Sequence, residues 1–150
     1  MKDIFNQTTT TELIERINNL NSESTQKWGK MDVAKMLAHC NVTYEMAYEN
    51  THKKPNSFKR FLLRFFVKKF VVNEIPYKKN IQTAPEFIIK DSKKFEIEKN
   101  RLIDYLIKTE QLGGDYFDGK ESYSFGKLTR QEWNNLFYKH LDHHLTQFGV

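Results

Sequence analysis

The chain predicts an all-α fold, an up-and-down four-helix bundle with short extra helices, built as a single domain over residues 1–150. Three observations lead there. Apolar residues recur at the spacing of a helical face along nearly every periodic stretch. Only 6 of 150 residues are Gly and 3 are Pro, so few positions break helices. Hydrophobic residues make up 39% and aromatics 14%, enough for one core without a disulfide or a structural metal.

Taken in order, Leu13, Ile14, Ile17 and Leu20 mark a first helix from about Thr10 to Leu20, with the threonine run ahead of it offering a cap. Asp32 is an N-cap for a second helix reaching about Glu49, with Val33, Met36, Leu37, Cys40, Tyr44 and Ala47 as its apolar stripe. Pro55-Asn56-Ser57 opens a basic segment whose helical part closes at Ile75-Pro76. Residues 79–90 read as extended loop. A third long helix runs from about Ser92 to Leu112 and stops at Gly113-Gly114. After an aromatic loop to Gly126, Thr129 and Glu132 form a capping box that starts the last helix, which ends at Phe148-Gly149.

The net charge of +5 is unevenly placed. From Asn50 to Lys79 there are nine bases and one acid, Glu74, so that segment carries +8 and the remainder −3. Lys53 to Lys69 interleaves bases with phenylalanines. The favoured reading is a helix whose Phe58, Phe61, Leu62, Phe65 and Phe66 enter the core while Arg60, Arg64 and Lys68 face solvent. A membrane-surface role is disfavoured, and nucleic-acid binding through residues 50–79 is a lesser alternative. The basic patch can also flank a pocket and attract an anionic small-molecule substrate. Cys40 is the single cysteine and lies within an apolar stripe, which makes it a core thiol rather than a nucleophile. A lone thiol and the lack of an apolar leader point to the cytoplasm. No apolar stretch approaches the ~18 residues of a membrane span.

The last helix carries the chemistry. With Trp133 as origin and about 100° per residue, His140 falls near −20° and His144 near +20°, in the centre of the apolar stripe. His143 lies at the edge, roughly −80° from that origin. Two imidazoles at the centre of a buried face need partners, because an unsatisfied polar group costs ~1–3 kcal/mol. One divalent ion shared between side chains four apart would satisfy both; hydrogen bonding in the core is the plainer alternative. A third ligand belongs on another helix. His39, on the flank of the second helix with Thr43 between it and the stripe, is the candidate, whereas His52 sits in a polar loop. Imidazole suits Zn, Ni, Fe or Co. No carboxylate is obviously placed as a base, though Glu45 and Asp115 are within the fold's reach.

The segments W-G-K-M-D-V-A-K-M-L-A-H-C (Trp28 to Cys40) and F-G-K-L-T-R-Q-E-W-N-N-L-F-Y-K-H-L-D-H-H-L-T-Q-F-G-V (Phe125 to Val150) resemble the DinB/YfiT-like metalloenzyme superfamily, and within it a branch catalogued as a domain of unknown function. That resemblance implies an up-and-down four-helix bundle. It implies a divalent metal held by one His of the second helix and two of the last, spaced H-x-x-x-H, which map onto His39, His140 and His144. It also implies a homodimer. Relatives include thiol-dependent transferases and a metal-dependent isomerase, so a low-molecular-weight thiol is an expected cosubstrate. The expected function is a metal-dependent hydrolase or thiol transferase with its catalytic residues unassigned. The alternative is a metal-free helical binding module in which the histidines only hydrogen-bond.

Overall fold

A computed structural model describes every residue of the chain except Asn50, so the first position of the basic segment lies outside the described residues. Helix α1 spans Gln7–Asn18, about one turn earlier than its apolar spacing suggests, because Asn6 caps it by accepting from the Thr8 N–H. Thr10 instead donates its hydroxyl to the Ile4 carbonyl and ties the N-terminus to the helix. Helix α2, Val33–Tyr48, starts at Asp32 as expected, its carboxylate accepting from the Lys35 N–H. Every residue from Met36 to Tyr44 is buried. A helix enclosed on all sides has no flank, and this turns His39 from an edge residue into an interior one.

The basic segment folds as α3, Ser57–Leu62, and α4, Lys68–Val72, joined through a π-helical turn at Leu63–Val67. Its aromatic face is the reverse of the sequence expectation, while Arg64 is exposed as expected. Leu63, Val67 and Val71 pack on the core and Val72 is buried. Phe58, Phe61, Phe65 and Phe66 are 72%, 62%, 71% and 70% exposed, and Leu62 is also exposed. The bases explain the inversion. Arg60 turns inward to pair with Glu121 and donates to the Ser122 carbonyl. Lys68 Nζ lies 2.7 Å from Glu132 of the last helix. An apolar face of three or four aliphatic residues is narrow enough for a peripheral helix, so the larger aromatic face is left outside.

Residues 73–94 cross the molecule as loop, interrupted by one 3₁₀ turn at Pro85–Phe87. Helix α5, Phe95–Phe117, is interrupted at the expected glycine stop and resumes beyond it. Gly113, at φ 70° and ψ 166°, breaks the helix, and one further turn beyond it brings Phe117 into the core against Phe5 at 5.2 Å. A Cβ at Gly114 would stand 2.1 Å from Arg130 Nε, so only glycine admits that side chain. The aromatic loop forms a small hairpin, β1 (Glu121–Ser122) antiparallel to β2 (Gly126–Lys127). Helix α6, Arg130–Phe148, opens on the Thr129/Glu132 capping box and closes at Gly149 in the left-handed region, φ 86°.

Helix α2 packs on α5 and α6, α1 on the same pair, and α4 on α6. Their shared core is aromatic. Phe137 stacks on Tyr44 at 5.0 Å and on Trp133 at 5.2 Å, and meets Phe117 at 5.5 Å. Cys40 is fully buried there, and burial pushes its thiol pKa far above the ordinary range, so it is the inert core thiol expected. Lys139, only 2% exposed, was not anticipated inside. Its ammonium donates to the carbonyls of Phe70 and Asn73 and to Asn73 Oδ1, all at 2.8–2.9 Å, while Asn135 donates to the Val72 carbonyl. These donors satisfy the C-terminal carbonyls of α4 and pin it to α6. Among the described residues, no helix is long and apolar enough to cross a membrane.

The inverted segment has a direct consequence for stability. Phe61→Ser and Phe65→Ser should each change unfolding free energy by no more than ~0.5 kcal/mol, whereas Phe137→Ala should cost ~3–5 kcal/mol. Urea unfolding of the three variants measures this. A loss of more than about 2 kcal/mol at Phe61 or Phe65 would return those rings to the core.

Candidate metal centre

Three imidazoles meet where α2 crosses α6. His39 Nε2 and His140 Nε2 are 2.9 Å apart, and one ring nitrogen of each of His39, His140 and His144 lies within 4.8 Å of the other two. His39 and His144 are buried and His140 is partly so. The sequence picked these three, and the fold brings all of them together.

The other nitrogen of each ring is already engaged. His39 Nδ1 is 2.9 Å from the Phe87 carbonyl, which can only accept, so Nδ1 carries the proton. Gln147 donates Nε2 to the Trp28 carbonyl at 2.7 Å, which turns its Oε1 toward His144 Nδ1 at 2.8 Å; that nitrogen must donate too. His140 Nδ1 sits 2.9 Å from the Thr43 hydroxyl, a group free to accept. Nδ1–H on His39 and His144 leaves lone pairs on their Nε2 atoms, and His140 presents a third in the tautomer that donates to Thr43. Two such lone pairs aimed at each other across 2.9 Å repel unless a proton or a cation lies between them. Zn–N bonds of about 2.0–2.1 Å in a tetrahedron put ligand nitrogens about 3.3 Å apart, so a small adjustment of this cluster admits an ion. The donor set, three neutral imidazoles each oriented by an outer hydrogen bond, fits a borderline divalent metal.

The electrostatics agree with the tautomers. Burial lowers the pKa of His39, and the Phe87 carbonyl only partly offsets it. Burial, joined by repulsion from His144, His39 and His143, puts His140 well below the imidazole range. His144 falls to about 3, again chiefly through burial. All three are neutral at pH 7, the state that ligates.

His143 stays outside the cluster. It is half-buried, edge-on to Tyr77 at 5.7 Å and to Trp28 at 5.8 Å. His52 pairs with Glu45 on the far side of α2, and Glu45 also holds Arg101 at 2.5 Å, so that carboxylate is spent on ion pairs. Asp115 is exposed in the last turn of α5, near the N-terminal end of α6 rather than the histidine end. Neither supplies the base that the sequence left open, and the cluster itself contains no carboxylate.

Sequence reasoning did not find the residues that orient the imidazoles. Thr43 and Gln147 stood on the correct helix faces, but their polar ends gave no sign of their partners. Phe87 gave none at all, because its contribution is a backbone carbonyl from a loop 48 residues from His39. The Phe87 ring also covers the site, 5.3 Å from His39 and 5.7 Å from His140.

The family model described as "Protein of unknown function (DUF1569)" matches residues 4–149, so the chain belongs to that family. No curated protein and no solved structure matches it.

Lowered histidine pKa values predict acid sensitivity of the metal-free protein. Below pH 6.5 the unfolded chain takes up protons that the native His39, His140 and His144 refuse, so native stability falls as pH drops and recovers as it rises. The urea midpoint of chelator-treated protein should therefore decrease steadily from pH 7 to pH 5, where histidines are the only side chains with an ordinary pKa that change charge. A midpoint that is flat or rises on acidification would mean that the cluster is protonated in the native state.

Proposed function

We propose that this member of the DUF1569 family is a metal-dependent enzyme in which His39, His140 and His144 bind one divalent ion, Zn, Ni, Fe or Co, at the centre of a four-helix bundle of the DinB type. In this reading residues 1–150 form one domain, α1, α2, α5 and α6 are the bundle, and α3 and α4 are its extra helices. The supporting observation is the orientation of the imidazoles. Their Nδ1 atoms are held by Phe87, Gln147 and Thr43, which leaves three Nε2 lone pairs free for one shared partner.

Three protein ligands leave coordination positions open, as catalytic rather than structural sites do. A divalent ion held there would supply Lewis acidity and lower the pKa of a bound water or thiol. The chain's own residues do the rest. His39, His140 and His144 stay neutral through burial and keep their orientation through outer hydrogen bonds. The Phe87 ring shields His39 and His140 from water and strengthens electrostatic effects on whatever binds beneath it. With no carboxylate in the cluster, the two chemistries are not equally served. Hydrolysis wants a base beside the attacking water. Transfer of a low-molecular-weight thiol needs none, because coordination itself deprotonates a thiol. The thiol must come from outside, since Cys40 is sealed in the core.

Metal content per chain, measured on untagged wild type and on single variants after reconstitution, tests the proposal. His39→Ala, His140→Ala and His144→Ala should each empty the site, while His143→Ala keeps it filled. Gln147→Leu, which removes the contact that orients His144 together with the bond to the Trp28 carbonyl, should weaken affinity by about 10–100-fold. Retention by His140→Ala with loss in His143→Ala would overturn the ligand assignment. Wild type that takes up none of Zn, Ni, Co or Fe would leave a helical binding module in place of the enzyme.

A further inference from the structure

The outward face of residues 57–72 is the largest feature that the metal site does not explain. Taking about 200 Å² for a phenylalanine side chain, Phe58, Phe61, Phe65 and Phe66 together expose roughly 550 Å². That is near the upper end of the ~300–600 Å² found for the largest patch of a typical monomer, before Leu62 and Phe70 are added. The rings adjoin one another: Phe61 lies 6.3 Å from Phe65, and Phe65 lies 4.9 Å from Phe66. The π-helical turn enlarges the face. On a straight helix Phe70 would stand roughly 120° from Phe58 and Lys69 roughly 20°. One extra residue in the turn sets each back by about 100°, bringing Phe70 to the aromatic side and Lys69 to its flank. Both are exposed.

Charge selects what covers this face. Lys59, Arg60 and Lys68 are ion-paired with Glu86, Glu121 and Glu132. Lys53, Lys54, Arg64, Lys69 and Lys78 are exposed and form no ion pair among the described residues, and Glu74 is the single acid of the segment. A second copy of the chain would bring a like-charged segment against this one, and like charges repel. Nucleic acid would answer the charge and stack on the rings, but exposed Leu62 and Ile75 would gain nothing from base stacking. An anionic bilayer answers both, with acyl chains for the phenylalanines and aliphatics and headgroup phosphates for the lysines.

We infer that residues 53–78 dock the protein on an anionic membrane surface. Phe58, Phe61, Phe65 and Phe66 enter the boundary between headgroups and acyl chains, and Lys53, Lys54 and Lys69 contact lipid phosphates. This is a peripheral contact; among the described residues no helix is long and apolar enough to cross a bilayer.

The test is co-sedimentation of the full-length protein with vesicles of phosphatidylcholine, with and without phosphatidylserine. Binding is expected only with phosphatidylserine and should fall as salt is raised. Phe61→Ser and Phe65→Ser should each weaken it by about tenfold or more, and Lys53→Gln, Lys54→Gln and Lys69→Gln by about fivefold each. Helix content and metal uptake are measured on the same preparations, so a variant that misfolds is recognised. His140→Ala should bind vesicles as wild type does, which separates this surface from the metal site. Three results would each overturn the inference: no binding to phosphatidylserine vesicles at low salt, binding indifferent to Phe61→Ser and Phe65→Ser, or a wild-type dimer in sedimentation equilibrium that those substitutions dissociate. Tighter binding to a single-stranded oligonucleotide than to the vesicles would assign the face to nucleic acid instead.

Discussion

The contact between His39 and His140 is the constraint around which the rest of the chain is arranged. Two Nε2 atoms at 2.9 Å fix the distance between α2 and α6, the two helices most enclosed by the others. Burial lowers the pKa of both rings, so neither relieves the contact by ionising at neutral pH. Each is locked from behind, by a loop carbonyl and by a neighbouring hydroxyl. His144 completes the arrangement, with ring centroids 4.5 Å from His39 and 4.8 Å from His140. A polar cluster this deep costs stability unless each nitrogen has a partner. The three Nδ1 atoms are held by Phe87, Thr43 and Gln147, and His39 Nε2 and His140 Nε2 meet each other at 2.9 Å.

Much of this was legible in the sequence because helical periodicity is a strict geometric rule. Positions 140 and 144 must share a face, and Trp133, Phe137 and Leu141 declare that face buried. The Thr129/Glu132 box and Gly149 mark the ends of α6 so plainly that its bounds agree with the structure. His39 was harder. A wheel assumes one buried side, and α2 is buried on every side, so a position on the flank proved to be as interior as the stripe. Phe87 was invisible, since a carbonyl belongs to every residue and only the path of the loop selects one of them.

The inverted basic segment shows where such reasoning fails. Phenylalanine is common in cores, and three bases spaced four apart look like a solvated edge, so the expectation followed composition. What decided the orientation was the neighbourhood. Glu121 and Glu132 lie on the hairpin and on α6, where they receive Arg60 and Lys68. Lys139 and Asn135 lie beneath the end of α4, where they receive its last carbonyls. Lys139 has its pKa lowered to about 8 by burial, with no acid to offset it, so enclosing that amine carries a cost. Three acceptors around Nζ offset part of it. Helical periodicity records none of these partners, because each belongs to a different element.

One continuous path of chain connects the two features that matter. Lys139 anchors the end of α4 one residue before His140, so the exposed aromatic helix is fastened to the same turn of α6 that carries the metal-facing ring. From that anchor the loop leaves through Tyr77, whose ring lies under the Lys139 ammonium at 4.6 Å and against His143 at 5.7 Å. It returns at Phe87, whose carbonyl holds His39 and whose ring covers His140. A force on the aromatic face therefore has a short mechanical route to the cover of the site, through an anchor and a loop rather than through the core. The core itself, with Tyr44, Phe117, Trp133 and Phe137 interlocked, is close-packed and has little room to deform. Residues 73–94, with a single turn of 3₁₀ helix, hold the least regular structure along that route. Within that loop Tyr77 meets His143 and Phe87 meets His39 and His140, so a displacement of the loop reaches the imidazoles at those two residues.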